Sequence, residues 1–256
     1  MKRIACLALA LILLMSATAL ADSKLKLMQA RQLEGSKDVR LYVSAQEPPT
    51  QDNLSVFLNN RQVDLPRTID TVAETGEGTV YVFCMDVSGT ISTADLDRVC
   101  DEIIEFSGTL GPNDLMRIYV IGTGAEPLCD YTNSREEVER VLSTIPRRTQ
   151  KTFLWNGVQM AADDLHANRG HLPELAQIIV FTDGVDDSDN AVTVEDTLAS
   201  VQNAGVPLRV VEMKSSERNA DRSSLEWLCE ESGGVIFDGK NNLDAGIDAL
   251  HPLMNG

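Results

Sequence analysis

The chain has few basic residues for its size. It carries 22 lysines and arginines against 39 aspartates and glutamates in 256 residues, a formal charge of −17. Nucleic acids and anionic membranes bind through basic surfaces, so this imbalance argues against both as partners. Histidine is scarce too, and none of the three lies in a Ser-His-Asp arrangement that we can place at a predicted strand end. Nucleophilic hydrolysis therefore has no visible base.

Cysteine motifs typical of zinc or redox sites are missing. No Cys-x-x-Cys pair occurs, which disfavours both kinds of site. The cysteines beyond the N-terminal segment are Cys84, Cys100, Cys129 and Cys229. An even number permits disulfides in a secreted chain. Free buried thiols are the alternative, because Cys84 lies in an apolar strand and Cys100 in a helical pattern.

Long apolar runs are absent outside the N-terminus. Met1-Lys2-Arg3 precedes an apolar run over residues 4–14, and Ala19-Leu20-Ala21 fits a signal-peptidase site. We therefore predict a signal peptide over residues 1–21 and a secreted or cell-surface protein. An uncleaved anchor is the alternative, but the run is short for a membrane span. Cleavage would leave 22 − 2 = 20 bases against 39 acids, a charge of −19.

Residues 22–78 predict a small N-terminal appendage. Residues 22–37 are polar and weakly patterned, which indicates a loose leader. Alternating or apolar runs over residues 39–43, 54–58 and 62–65 predict short strands, with a turn at Asn59-Asn60. Residues 67–78 are rich in Thr, Glu and Gly and read as a linker. Two or three strands alone are marginal in water, so we expect them to pack on the main domain.

From residue 79 onward, strand and helix patterns alternate. Predicted strands cover residues 79–86, 115–121, 126–131, 175–182, 208–211 and 234–237. Predicted helices cover residues 93–107, 134–145, 153–166, 193–203, 223–231 and 243–253. This alternation predicts an α/β domain over residues 79–256, a doubly wound, mostly parallel six-stranded sheet with helices on both faces. Thr93 is a plausible N-cap for the first of these helices.

Three segments place oxygen-bearing side chains at strand ends or helix starts. Asp86, Ser88 and Thr90 follow the first apolar strand, Thr152 precedes a helix, and Asp183 follows the fourth strand. The carboxyl ends of parallel strands meet at one edge, where open α/β sheets bind ligands. Two carboxylates and three hydroxyls are hard ligands. The set therefore predicts a site for Mg²⁺ or Mn²⁺, or for Ca²⁺ with a looser fit.

In this order, the three segments resemble the metal-ion-dependent adhesion site of von Willebrand factor type A domains. Asp86 and Ser88 match its Asp-x-Ser-x-Ser motif, with Thr90 in place of the second Ser. Thr152 lies five residues before Gly157, and Asp183 precedes a Gly, as in that family. The resemblance covers residues 79–255. It implies a metal-dependent, non-enzymatic adhesion protein whose ion accepts a Glu or Asp side chain from a protein partner.

Two other functions compete with this interpretation. Residues 86–91 also resemble the Asp-x-Asp-Gly-Thr signature of haloacid-dehalogenase-type phosphatases, with Lys151 as the only candidate for that family's lysine. However, Ser88 replaces the second Asp and cannot transfer protons near neutral pH. The other alternative is a structural module without metal, whose hydroxyls cap helices and whose acids bind loop amides.

Residues near the three segments invite further interpretations. The acidic run at residues 186–190 suggests a second ion site, although a solvated loop is the commoner meaning of such a run. Trp155 suggests either a partner contact or helix packing. Arg147, Arg148 and Lys151 suggest either steering of an acidic partner or an ordinary solvated loop.

Overall fold

A computed structural model describes most of the chain. The described residues are 25–32, 39–45, 50, 54–58, 61–63, 69–145, 151–188, 191–216 and 220–254. The predicted signal peptide, the Asn59-Asn60 turn, Arg147 and Arg148, and the end of the acidic run at Asp189 and Asn190 lie outside these residues.

The N-terminal segment forms two antiparallel hairpins and one short helix. The elements are β1 (Leu25–Gln32), β2 (Val39–Ala45), β3 (Val56–Leu58), β4 (Arg61–Val63) and α1 (Val72–Thr75). β1 pairs with β2, and β3 pairs with β4. The prediction of a loose leader over residues 22–37 was therefore wrong, because residues 25–32 form a strand. Its alternation is weak, and its backbone pairs with β2.

The remaining strands and helices alternate as predicted. The strands are β5 (Thr79–Asp86), β6 (Leu115–Ile121), β7 (Ala125–Pro127), β8 (Leu175–Thr182), β9 (Leu208–Glu212) and β10 (Val235–Asp238). The helices are α2 (Thr93–Ser107), α3 (Arg135–Leu142), α4 (Leu154–Ala167), α5 (Val194–Ala204), α6 (Arg222–Ser232) and α7 (Leu243–Met254), with a 3-10 turn at Arg169–His171.

The six strands form one sheet in the order β10-β9-β8-β5-β6-β7. All neighbours pair in parallel except β6 and β7, which are antiparallel. The predicted doubly wound, six-stranded sheet is confirmed. The chain order reverses direction at β5, which lies between β6 and β8. The carboxyl ends of β5 and β8 therefore flank the topological switch point, where such sheets bind ligands.

The sheet is covered on both faces, so it has two cores. Alternate residues of β5 enter different cores: Phe83 packs among residues of α2, α3 and α7, whereas Val82 packs among residues of α4, α5 and α6. β5 is buried along its whole length, as expected for a central parallel strand. This burial fixes the position of Asp86 at its end.

Local signals shift some element ends from the predicted positions. Ser92, not Thr93, caps α2, because Ser92 is extended and its side chain accepts a hydrogen bond from Asp95 N. The strand predicted over residues 126–131 is shorter, ending at Pro127. α3 ends at Leu142 rather than at Ile145. The linker contains α1.

The first hairpin packs against the amino end of the sheet. Gln29 of β1 is 4% exposed. Its Nε2 donates to the carbonyls of Glu174 and Gly205, at 3.3 and 3.0 Å, and its Oε1 accepts from Ala176 N at 3.0 Å. From β2, the Tyr42 hydroxyl donates to Glu77 at 2.9 Å. The expectation that the appendage packs on the main domain holds for this hairpin.

The four cysteines Cys84, Cys100, Cys129 and Cys229 are buried free thiols. Burial raises the pKa of Cys229 to about 12, so its thiol stays protonated and apolar in character. None of the described helices is both long and apolar enough to cross a membrane.

Candidate metal centre

The sequence-predicted metal ligands gather at the carboxyl edge of the sheet. Asp86 is the last residue of β5, and Asp183 follows the last residue of β8, the adjacent strand. Thr152 lies two residues before α4. Its hydroxyl is 3.4 Å from Asp86 Oδ1 and donates to it. The switch point therefore brings these side chains together from distant parts of the chain.

Asp86 is held from two sides. The backbone N–H of Ser88 donates to Oδ1 at 2.9 Å, and the hydroxyl of Thr182 donates to Oδ2 at 2.8 Å. The side chain is only 1% exposed. Its orientation is thus set by its own loop and by the end of the neighbouring strand.

Asp183 is held in the same way by a different set of donors. Val185 N donates to Oδ1 at 3.1 Å, and the hydroxyl of Ser215 donates to Oδ2 at 2.7 Å. Asp183 is also 1% exposed. The next residue, Gly184, has a φ of +80°, a backbone conformation that favours glycine. The turn directly after Asp183 therefore requires a glycine at position 184.

The hydroxyl residues complete one side of the site. The side-chain oxygens of Ser88 and Thr90 are 2.8 Å apart and hydrogen-bonded. Ser88 and Thr152 are buried, whereas Thr90 is partly exposed. Backbone contact with Ser216, whose N–H donates to Thr90 O at 3.1 Å, fixes the Thr90 loop against the segment after β9. The site is therefore reached from the Thr90 side.

The electrostatics of the site favour a bound cation. Burial, and next the charge of Asp183, raise the pKa of Asp86 from 3.8 to about 7. Neither carboxylate forms an ion pair with any Lys, Arg or His among the described residues. Two buried carboxylates without a counter-charge are costly. A divalent ion between them would remove that cost.

The donor set fits a hard metal. Two carboxylates and the hydroxyls of Ser88, Thr90 and Thr152 offer only oxygen, as Mg²⁺, Mn²⁺ and Ca²⁺ prefer. Within the described residues, no three His, Cys, Asp or Glu side chains come together in a metal-binding group. An ion at this site would therefore depend on the hydroxyls as well as on the two acids.

The start of α4 is positioned by a close helix–strand contact. A Cβ atom on Gly157 would lie 2.5 Å from the Ile121 side chain in β6, so only glycine lets α4 approach this closely. Asp187 fixes the preceding loop: its carboxylate accepts from Thr152 N at 3.2 Å, and its own N–H donates to Thr152 O at 2.7 Å. The spacing of Thr152 and Gly157 thus has a structural cause.

The described part of the acidic run has structural partners. Asp186 accepts hydrogen bonds from the N–H of Trp155 at 3.4 Å and from the hydroxyl of Ser188 at 2.5 Å. Together with Asp187, it anchors the start of α4. Trp155 is 7% exposed and packs in the core on that face of the sheet, as its helix-packing interpretation predicts.

Sequence reasoning missed Thr182 and Ser215, which hold the two acids. Thr182 stands immediately before Asp183 and is the last residue of β8. Since β8 lies beside β5, a hydroxyl at the end of β8 could have been expected to contact the acid at the end of β5. Ser215 lies three residues after the end of β9. The only available signal was that β9 ends at the same edge of the sheet as β8.

Comparisons with known proteins agree with this fold. The family model described as von Willebrand factor type A domain matches residues 81–185, which contain all five predicted metal ligands. No curated protein sequence gives a significant match.

Solved structures resemble the chain at low identity. The conserved hypothetical protein BatB from Bacteroides thetaiotaomicron has 14% identity and a TM-score of 0.52, covering 70% of this chain and 98% of its own. A von Willebrand factor type A protein from Catenulispora acidiphila has 13% identity and a TM-score of 0.55, covering 70% and 43%. Proximal thread matrix protein 1 from the mussel byssus, with a zinc-occupied MIDAS motif, has 15% identity and a TM-score of 0.53, covering 69% and 46%.

These matches agree on the fold. Residues 81–185 match the von Willebrand factor type A domain, and the sheet and its helices have the fold of that class. Domains of this class commonly bind protein partners and are generally not enzymes. At such identities, the structural likeness shows the fold and not the occupancy of the metal site.

Proposed function

We propose that this protein binds a partner protein through a divalent metal ion held by Asp86, Ser88, Thr90, Thr152 and Asp183. The observation that carries the proposal is the pair of buried acids at the switch point, which are surrounded by hydroxyls and form no ion pair with a Lys, Arg or His of the described residues. The mussel protein has a zinc-occupied MIDAS (metal-ion-dependent adhesion site) motif, which supports a divalent ion at a site of this class. Mg²⁺ is the first candidate here, with Mn²⁺ and Ca²⁺ as substitutes.

The chain's own residues would orient the ion and limit its access. Thr182 and Ser215 hold the two acids, and Asp187 holds the Thr152 loop. An ion that receives few protein charges stays electrophilic and attracts an anionic ligand. Because Thr90 is the partly exposed member, a partner's Asp or Glu would approach from that side. Residues 79–256 would form the binding domain, with residues 22–78 as its appendage.

A secreted or cell-surface location is part of the same proposal. It rests on the signal-peptide pattern of residues 1–21 and on the strongly acidic composition. Adhesion to another protein would then take place outside the cell, where millimolar divalent ions are expected to fill a weak site.

Nothing in the geometry favours the phosphatase alternative. Its second acid would stand at position 88, where Ser88 shares a hydrogen bond with Thr90 instead of serving as a proton carrier. Asp86 accepts three hydrogen bonds, from Ser88 N, Thr152 and Thr182, which reduces its strength as a nucleophile. A structural module without metal is the remaining alternative, and it predicts no response to divalent ions.

Isothermal titration with Mg²⁺ and Mn²⁺ tests the proposal. The unaltered chain should bind one ion, and Asp86→Asn should bind none. Asp130→Asn serves as the control, because Asp130 is 98% exposed and its loss changes the net charge equally. Absence of binding by the unaltered chain, or equal binding by Asp86→Asn, would rule out a metal at this site.

A further inference from the structure

A cleft of about 480 Å³ opens beside the candidate metal centre. It is bounded by the Thr90 loop, the start of α2, the segment after β9 and the segment between β10 and α7. Thr90 and Ser215 line the cleft and also take part in the centre, since Thr90 bonds Ser88 and Ser215 bonds Asp183. The cleft and the centre therefore form one continuous surface.

The lining of the cleft is polar and carries two of the chain's few lysines, Lys214 and Lys240. Among the described lining residues Asp95 is the only acid, and it is bonded to Ser92 at 2.7 Å. The lining thus has a charge of 2 − 1 = +1 in a chain with a formal charge of −17. Leu243 is the only large apolar residue among those described in the lining, so an apolar ligand would find little to contact there.

The two lysines are held differently. Lys240 Nζ donates to Glu212 Oε1 at 2.7 Å, and Arg222 also pairs with the buried Glu212 carboxylate. Arg222 pairs with Glu226 as well, so two cations face two acids at that wall, and Lys240 is largely neutralised there. Lys214 is exposed and forms no ion pair with any residue that the structure describes. Its ammonium is available to an incoming anion.

We propose that this cleft binds a second carboxylate of the same acidic partner segment whose first carboxylate binds the metal. This proposal rests on the proposed function, because the metal provides the first contact. Two linked contacts raise affinity more than either alone, provided that the linker spans both sites. The cleft would thereby select partners with paired acidic residues over partners with one.

Blocked synthetic peptides test the proposal. One peptide has a single Asp between glycines, and the others have an Asp and a Glu separated by roughly one to six glycines, each spanning about 3.3 Å when extended. Binding is measured by isothermal titration with the full chain in saturating Mn²⁺. We expect one spacing to bind about three- to tenfold tighter than the single-Asp peptide, the scale of one added charge contact.

Lys214→Glu should abolish this gain. Because Lys214 is exposed, the variant should fold and should bind Mn²⁺ and the single-Asp peptide within about twofold of the unaltered chain. Lys240→Gln should reduce the gain and provides a second variant. Arg140→Glu on α3 is the control, since it makes the same charge change at a site 68% exposed and outside the cleft.

The outcomes separate the two proposals. If Mn²⁺ and the single-Asp peptide bind but no spacing gives a gain, the cleft proposal is wrong and the metal proposal stands. A gain that survives Lys214→Glu, or that Arg140→Glu removes equally, also overturns the cleft proposal. Absence of Mn²⁺ binding overturns both.

Discussion

The hydroxyl of Thr182 links Asp86 to the backbone of the loop that carries Asp183. It donates to Asp86 Oδ2 at 2.8 Å and accepts from the N–H of Gly184 at 3.0 Å, next to Asp183. Thr182 is 0% exposed, so no water replaces these contacts. One side chain therefore fixes the end of β5 relative to the loop after β8.

Thr182→Val should weaken both the fold and metal binding. The change keeps the shape but leaves Gly184 N–H without its acceptor and Asp86 with one donor fewer, at a cost of about 1–3 kcal/mol in the free energy of unfolding. Metal affinity should fall by about tenfold, as is usual when a contact that orients a ligand is lost. Urea unfolding in EDTA and isothermal titration measure the two effects.

Thr182→Ser is the matched control, because it keeps the hydroxyl and should retain metal affinity. If Thr182→Val bound metal as tightly as Thr182→Ser, the hydroxyl would have no orienting role.

The metal-free protein should lose stability as pH rises from about 4 to about 7 through the titration of Asp86. The pKa of this carboxyl has an ordinary value of 3.8, which applies to the unfolded chain, and is about 7 in the folded chain. Between these values the folded state binds a proton that the unfolded state has lost, so the free energy of unfolding falls with pH, and above about pH 7 this contribution is constant.

Asp86→Asn measures this contribution because it removes the carboxyl that titrates. In EDTA near pH 8, the variant should be more stable than the unaltered chain by about 2 kcal/mol. This is about half of the free energy to which the full pKa shift corresponds. The difference should vanish near pH 4. Urea unfolding at several pH values measures it, with Asp130→Asn as the control. A variant less stable than the unaltered chain at pH 8 would contradict the prediction.

Much of the fold could be predicted from the sequence because burial leaves a periodic signal. β5 and β8 are mainly apolar and lie where expected, since both faces of a central parallel strand are covered. The N-terminal strand β1 could not be predicted in this way. Its described side chains are mostly half-buried, it pairs only with the neighbouring strand β2 among the described strands, and its anchoring contacts through Gln29 reach distant residues 174–205.

The same contrast holds for the candidate centre. Asp86, Ser88 and Thr90 are near in sequence, so their spacing was informative. Ser215 reaches Asp183 across 32 positions, and nothing in its local pattern distinguishes it from other serines of that segment. Contacts made by the sheet order alone are invisible until the order of the strands is known.

Gly157→Ala should disturb the site from a distance. The added Cβ would lie 2.5 Å from the Ile121 side chain, so α4 or β6 must shift. Overpacking of this kind costs about 1–3 kcal/mol. Because the α4 start carries Thr152, metal affinity should fall as well. Thermal unfolding and isothermal titration measure both effects.

Gly170→Ala is the control for this change, because a Cβ there meets nothing within 4 Å. It should leave unfolding and metal binding unchanged. If Gly157→Ala had no more effect than Gly170→Ala, the close approach of α4 to β6 would not govern the position of Thr152.

Gln29→Leu should loosen the N-terminal hairpin without affecting the metal centre. Gln29 is buried and satisfies the Glu174 and Gly205 carbonyls and the Ala176 N–H at the amino end of β8. Leucine has similar volume but leaves these groups unpaired, so the free energy of unfolding should fall by about 2 kcal/mol.

Gln62→Leu at an exposed position of β4 is the control and should change the free energy of unfolding by less than about 0.5 kcal/mol. Because the centre lies at the opposite end of the sheet, Mn²⁺ affinity should stay the same in both variants. Equal stability of the two would show that the hairpin is not anchored through Gln29.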